Sequence, residues 1–231
     1  MNRTLDVATS LAASIASLGG GYAVGELGPR PEKPLELYEF EACPFCRKVR
    51  EALTIFDLDA VIYPCPKGGP RYREEVKRRG GRSQFPFLVD PNTGQEMFES
   101  DDIVRYLAGR YGDGKVPRIL ALGPITNLVV TSASMWRPNG GRRYRPARPP
   151  AKPLELYSFE VSPYCRIARE ALCELEIPYL LHNVGKGSPR REAFVARSGK
   201  MQVPWLFDPN TDRSMFESAD IVAYLHATYA I

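Results

Sequence analysis

Two copies of a short motif carry the residues of this chain that are best suited to chemistry. The first copy is Cys43-Pro44-Phe45-Cys46, and the second, in the other half of the chain, is Ser162-Pro163-Tyr164-Cys165. Proline is favoured at the first position of a helix, so a helix is predicted to begin directly after Cys43 and after Ser162. A thiol at that place faces unpaired backbone N–H groups and the positive end of the helix dipole, which lower its pKa.

Cys43 is therefore predicted to be the attacking nucleophile. Cys46, one turn into the helix, would resolve a mixed disulfide by thiol–disulfide exchange. Arg47 and Lys48 follow, and they either add positive charge to the site or are solvated. A zinc site at the two cysteines would need further ligands, and no second Cys/His pair stands at a suitable spacing. We expect no metal.

The sequence around the motif is also repeated, which predicts a tandem protein. Leu-Glu-Leu-Tyr begins at Leu35 in the first copy and at Leu154 in the second. The second half has lost the first cysteine, so it either keeps some chemistry through Ser162 and Cys165 or binds and packs without chemistry. We predict four segments: an N-terminal helix and linker (1–34), module 1 (35–113), a helix with a Pro/Arg-rich linker (114–153) and module 2 (154–231).

The pattern of apolar residues in module 1 predicts the element order β-α-β-α-β-β-α. Ser100 is predicted to cap the last helix. The predicted strands cover residues 35–40, 60–64, 85–89 and 96–98, and the predicted helices start at 44, 72 and 100.

This order, with Cys-Pro-x-Cys opening the first helix, resembles the thioredoxin fold. More narrowly, it resembles glutaredoxins and the N-terminal domain of glutathione transferases. Phe85-Pro86 and the Glu99-Ser100 pair, which opens Glu-Ser-x-x-Ile-x-x-Tyr-Leu, follow the cysteine motif in the order that the resemblance requires. Val203-Pro204 and Glu217-Ser218 repeat both signals in the second half. The resemblance implies an α/β protein of two tandem thioredoxin-fold, glutaredoxin-like modules, each preceded by a short helix.

The resemblance also implies glutathione as co-substrate or ligand. Phe85-Pro86 and Val203-Pro204 would contain cis-prolines, and Phe85 and Val203 would pair their backbones with the cysteinyl unit of glutathione. Glu99-Ser100 and Glu217-Ser218 would hold its γ-glutamyl end. Ser162 would hydrogen-bond a glutathione thiolate. Ordinary trans prolines and plain helix caps are the alternatives.

Three functions remain open on the sequence. The first is a glutathione-linked, glutaredoxin-like thiol–disulfide oxidoreductase acting through Cys43 on an oxidised protein or a small-molecule disulfide. The second is a transferase or isomerase resembling type-2 prostaglandin E synthase. The third is a non-enzymatic glutathione-binding or assembly module. The large helical domain that completes the substrate pocket of glutathione transferases has no counterpart here, which favours the first.

Composition excludes several other classes of function. The net charge of +4 is mild, and no base-reading motif accompanies it, so no nucleic-acid partner is expected. The apolar runs are too short for a membrane span. Five cysteines, an odd number, suit a reducing intracellular compartment. The resemblance to tandem proteins of plant and algal plastids implies the chloroplast stroma.

The remaining segments have weaker signals. Helices with one apolar stripe are predicted at residues 5–18 and 125–135, and their contact is expected to relate the two units by an approximate two-fold axis. The Pro/Arg stretch at 142–148 is predicted to be a solvated linker. Loop or packing roles are preferred for the other polar and thiol candidates: Cys65, Cys173, Lys67, Lys186, His182 and His226.

Overall fold

A computed structural model describes residues 9–10, 21–121 and 140–231. Thr9 and Ser10 are helical, and the rest of the two predicted short helices lies outside the described residues. None of the helices in the described ranges is long and apolar enough to cross a membrane.

Both halves have the predicted element order, and the prediction of two thioredoxin-fold modules is confirmed. Module 1 consists of β1 (Leu35–Glu39), α1 (Pro44–Ile55), β2 (Ala60–Pro64), α2 (Tyr72–Gly80), β3 (Phe87–Asp90), β4 (Gln95–Met97) and α3 (Ser100–Tyr111), followed by the short α4 (Arg118–Ala121). Module 2 consists of β5 (Leu154–Ser158), α5 (Pro163–Glu174), β6 (Tyr179–Asn183), α6 (Arg191–Ser198), β7 (Trp205–Asp208), β8 (Arg213–Phe216) and α7 (Ser218–Tyr229).

The strands form one eight-stranded sheet in the order β4-β3-β1-β2-β6-β5-β7-β8. Within each module the first two strands are parallel, and the modules join where β2 and β6 pair in antiparallel fashion. Val61 pairs with Leu180, its equivalent in the other module, and the flanking pairs are reciprocal. An approximate two-fold axis therefore passes between these two residues, through the sheet.

The sheet is covered on both faces, and four of the five residues of β1 are buried. Leu35 and Leu37 face a core that runs continuously through both modules. This core lies beneath α1 and α3 in module 1 and beneath α5 and α7 in module 2. Tyr38 points the opposite way, into a smaller cluster under α2 with Val76 and Phe87. This alternation follows from the period of two along a strand.

Most residues of the stretch at 142–148 are exposed, as predicted for a solvated linker, but its backbone is hydrogen-bonded to the modules. The Lys67 N–H donates to the Arg142 carbonyl at 2.7 Å, and the Tyr144 N–H donates to the Lys67 carbonyl at 3.0 Å. The side chains of Arg142 and Arg143 are exposed, as their charge requires, but the backbone is held. Amino-acid composition indicates that the side chains are exposed, but it does not show the hydrogen-bond partners of the backbone.

The segment before module 1 makes the equivalent contact with module 2. The Lys186 N–H donates to the Tyr22 carbonyl, and the Val24 N–H donates to the Lys186 carbonyl, both at 2.9 Å. Each linker thus pairs with a loop of the module into which it does not lead.

Candidate functional site

The first motif places a thiol at the start of α1. Cys43 is the N-cap residue, and its sulfur accepts a hydrogen bond from the Cys46 N–H at 3.3 Å. A hydrogen bond from the Cys46 thiol is the main cause that lowers the pKa of Cys43, whereas burial raises the pKa of Cys46 well above its ordinary value. The outer thiol of the pair is therefore the one that ionises first.

The other thiols are held neutral. Burial raises the pKa of Cys65, Cys165 and Cys173, so Cys43 stands alone among the five cysteines in having a lowered pKa. Cys173 lies between the modules, because its sulfur accepts from the Glu41 N–H at 3.4 Å and its thiol donates to the Gly141 carbonyl at 3.1 Å.

The second motif copies this geometry without the thiol. Ser162 is the N-cap residue of α5, and its hydroxyl accepts from the Cys165 N–H at 3.3 Å. Cys165 is fully buried behind it. The Ser10 hydroxyl donates to the Pro163 carbonyl at 2.7 Å, which places Ser10 against this motif.

The predicted proline elements lie beside the motifs. The Phe85–Pro86 and Val203–Pro204 peptide bonds are both cis, as predicted. The Phe85 ring meets the Phe40 ring edge-on at 6.1 Å, and the Phe40 carbonyl accepts from the Cys43 N–H at 3.0 Å. Phe85 thus lies next to the loop that carries Cys43.

The Glu-Ser pairs differ from their prediction in one respect. Glu99, and not Ser100, is the N-cap residue of α3, because Glu99 has a φ of 66° and lies outside the helix, which begins at Ser100. Glu217 repeats this at α7 with a φ of 64°. Positive φ is costly for glutamate, and both modules keep it at this place.

The Glu-Ser pairs also leave hydrogen-bonding groups open to a ligand. Neither α3 nor α7 has a side-chain capping bond, so their first N–H groups can receive a carboxylate. One oxygen of Glu99 accepts from Gln84 at 2.7 Å, and one oxygen of Glu217 accepts from Gln202 at 2.6 Å. A glutamate oriented in this way can accept from an ammonium group.

An ion pair missed on the sequence ties the cysteine helix to the Glu-Ser helix. Lys48 of α1 is fully buried, so it is not solvated, and its ammonium contacts the Asp101 carboxylate at 2.5 Å. The aligned residues of module 2 are Ile167 and Ala219, so the cation and its partner are lost together. That paired change is the signal that could have revealed the contact.

A buried cluster of five charged residues between the modules was also missed. Arg50 donates to Glu160 at 3.0 Å and Arg169 donates to Glu41 at 3.1 Å, a reciprocal pair in equivalent positions. Glu39 adds a third carboxylate, which accepts from Arg50. Burial, together with repulsion from Glu41 and Glu160, raises the pKa of Glu39 to about 7. Identical residues at four of these positions in the two copies were the available signal.

One of three comparisons with known proteins, the one with sequence models of families, agrees with this architecture. The sequence model of the glutathione S-transferase N-terminal domain matches residues 37–115 and 156–230. Among solved structures, the chain is similar to a trimeric glutathione transferase from Leishmania, with 15% identity and a TM-score of 0.29 over 87% of this chain and 68% of that chain. No curated protein matches the chain.

Proposed function

The chain belongs to the family of the glutathione S-transferase N-terminal domain, and we propose that it is a glutathione-linked thiol–disulfide oxidoreductase acting through Cys43. One observation carries the proposal: Cys43 caps α1 and has a lowered pKa, whereas burial raises the pKa of the other four thiols. The thiolate is the species that attacks a disulfide, so the site supplies its nucleophile at one defined sulfur.

The proposed reaction takes two exchange steps. The Cys43 thiolate attacks the glutathione sulfur of a mixed disulfide, forms a Cys43–glutathione disulfide, and releases the substrate thiolate, which takes a proton from water. The thiolate of a second glutathione then attacks the glutathione sulfur on Cys43. Oxidised glutathione leaves and the Cys43 thiolate is restored, so the net reaction converts one mixed disulfide and one reduced glutathione into the free substrate thiol and oxidised glutathione.

In the second step, glutathione rather than Cys46 is the resolving thiol. Cys46 is fully buried and its pKa is raised, which leaves little thiolate to attack the bond on Cys43. In this proposal the main contribution of Cys46 is the pair of hydrogen bonds, from its N–H and its thiol, that stabilise the Cys43 thiolate.

Glutathione would be held along the edge of module 1. Its γ-glutamyl carboxylate fits the open N–H groups of α3 and the Ser100 hydroxyl, and its ammonium fits Glu99. The backbone of Phe85, before Pro86, would pair with the cysteinyl unit. Free thiols throughout suit a reducing compartment, and we propose the chloroplast stroma from the resemblance to plastid tandem proteins.

Module 2 supports a second candidate, a glutathione-binding or transferase half. The Ser162 hydroxyl occupies the place of the Cys43 sulfur, where it can donate to a bound glutathione thiolate without forming a disulfide. Val203-Pro204 and Glu217-Ser218 repeat the proposed contacts of module 1. In this proposal Cys165 is not the nucleophile of this half, because it is fully buried and burial raises its pKa.

The test is reduction of the mixed disulfide between glutathione and 2-mercaptoethanol, with glutathione as reductant. Cys43→Ser is expected to lower turnover to the uncatalysed rate, and Cys165→Ser, a matched change in module 2, is expected to leave it intact. Loss of turnover in Cys165→Ser with retention in Cys43→Ser would assign the chemistry to module 2 and contradict the proposal. Calorimetric titration with reduced glutathione then counts the occupied sites.

A further inference from the structure

The linker before module 2 presents two arginines at a fixed place. Arg142 and Arg143 are exposed, and neither side chain has a hydrogen-bond or ion-pair partner in the described part of the chain. Their backbone is pinned on both sides, by Lys67 at Arg142 and by the Arg145 N–H, which donates to the Glu174 carbonyl at 2.7 Å. The Arg145 side chain is neutralised by Glu174 at 2.8 Å, so it adds no free charge.

The arginines lie at the edge of the sheet where Cys43 is located. Lys67 follows β2, and β2 runs parallel to β1, whose end leads to Cys43. The carboxyl ends of parallel strands meet at one edge of a sheet. Arg73 reaches the same place, where it donates to the Cys65 carbonyl at 2.9 Å and lies 4.8 Å above the Phe85 ring. We name Lys67, Arg73, Arg142 and Arg143 the basic rim.

Module 2 lacks half of this charge at the equivalent positions. Lys186 matches Lys67, and Arg191, which donates to the Val184 carbonyl at 3.0 Å, matches Arg73. The other linker supplies Tyr22 and Ala23 in place of the two arginines. The Lys186 ammonium lies 5.7 Å over the Tyr22 ring. The rim of module 2 thus carries two cations, while the rim beside the reactive thiol carries four.

We propose that the basic rim selects the substrate of the Cys43 site, which is an acidic polypeptide segment that carries a glutathionylated cysteine. This rests on the proposed function and adds the substrate class. Unpaired cations at a fixed rim attract an acidic partner over about one Debye length, roughly 8–10 Å, and raise the rate of encounter. The reaction is the exchange already described, with the cysteine of the peptide as the leaving thiolate.

The test compares two peptides of equal length, one with glutamates and one with lysines around a single glutathionylated cysteine. At low salt, kcat/KM is expected to be about tenfold higher for the acidic peptide, because rim charges act mainly on association. The ratio is expected to fall towards one in R142S/R143S and at high salt. Tyr22→Ser/Ala23→Ser, the matched double change on the rim of module 2, should leave the ratio unchanged.

Equal rates for the two peptides, or a ratio that survives R142S/R143S, would overturn the proposal. A rise in the KM for glutathione that is equal for both peptides would also overturn it, because the rim would then hold glutathione itself. An acidic peptide with a non-reducible thioether in place of the disulfide gives a readout without turnover, by fluorescence anisotropy. Rim-dependent binding of this peptide without turnover of either substrate would refute the oxidoreductase and keep the inference.

Discussion

Arg169→Met tests whether the buried charges between the modules hold the fold together. The Arg169 guanidinium is 1% exposed and donates to both oxygens of Glu41 at 3.1 Å. It also contacts the Glu160 carboxylate at 2.9 Å and donates to the Ser158 hydroxyl at 3.1 Å. Methionine has a similar length but no charge, so the variant leaves Arg50 as the single cation of the cluster.

The cost follows from the carboxylates that stay behind. Burial by itself would raise the pKa of Glu41, and the two arginines, Arg169 foremost, overcome it. Removing one partner of a buried ion pair costs about 3–5 kcal/mol, because the other charge is left uncompensated. For a chain of this size each kcal/mol lowers Tm by about 2–4 °C. The expected decrease in Tm is therefore about 6–20 °C.

Urea unfolding followed by circular dichroism gives the change in free energy, and thermal melts give Tm. The control is Arg78→Met, which breaks a pair with Glu75 in which Arg78 is 72% exposed, and it should leave the free energy of unfolding almost unchanged. Adding Glu41→Gln to Arg169→Met should restore part of the loss, because one stranded charge is then removed. A loss in Arg169→Met within about 1 kcal/mol of the control would refute the reasoning.

Four further predictions concern single residues. In urea unfolding, Glu39→Gln should be more stable than the wild type at pH 8 but not at pH 4. The pKa of Glu39 is raised from 4.5 to about 7, so the stability that the protonated carboxyl contributes is lost as pH rises through that range. Cys46→Ser should keep turnover within about tenfold of the wild type, whereas turnover would be lost if Cys46 were the resolving thiol. Iodoacetamide at mildly acidic pH should label Cys43 first, and earlier labelling of Cys165, read by peptide mass, would contradict the assignment. Glu99→Gln should weaken glutathione binding about tenfold in calorimetry, since a charge-assisted bond is lost; unchanged affinity would remove Glu99 from the site.

The features that the sequence predicted are those determined by near neighbours in the chain. Alternation along β1 and the position of Pro44 predict a strand and a helix start within a residue or two, and the order of the three motifs identifies the fold. Glu99 shows the limit of local reasoning: the sequence predicts the helix cap at Ser100, because nothing in the sequence reports a positive φ at a glutamate.

The missed features depend on partners that are distant in the sequence. Arg50 and Glu160 read as ordinary charged residues until β2 and β6 bring the modules together. The same holds for the backbone of the arginine linker, whose partner, Lys67, lies in the other module's half of the chain. A pairing of strands between modules cannot be read from the periodicity of either module, because the same alternation suits any neighbouring strand.

The two modules are alike where they contact each other and differ around the first motif. At the interface Arg71 donates to the Glu176 carbonyl at 2.8 Å, and Arg190, its equivalent, donates to the Asp57 carbonyl at 2.7 Å. Around the first motif, by contrast, the thiol of Cys43, the Lys48–Asp101 ion pair and the two exposed arginines of the basic rim lack counterparts in module 2. A reciprocal interface needs both copies to keep their residues, because each change would strand a buried partner. The positions around the motif have no such constraint, which under the proposed function allows one half to specialise in chemistry while the other half maintains the fold.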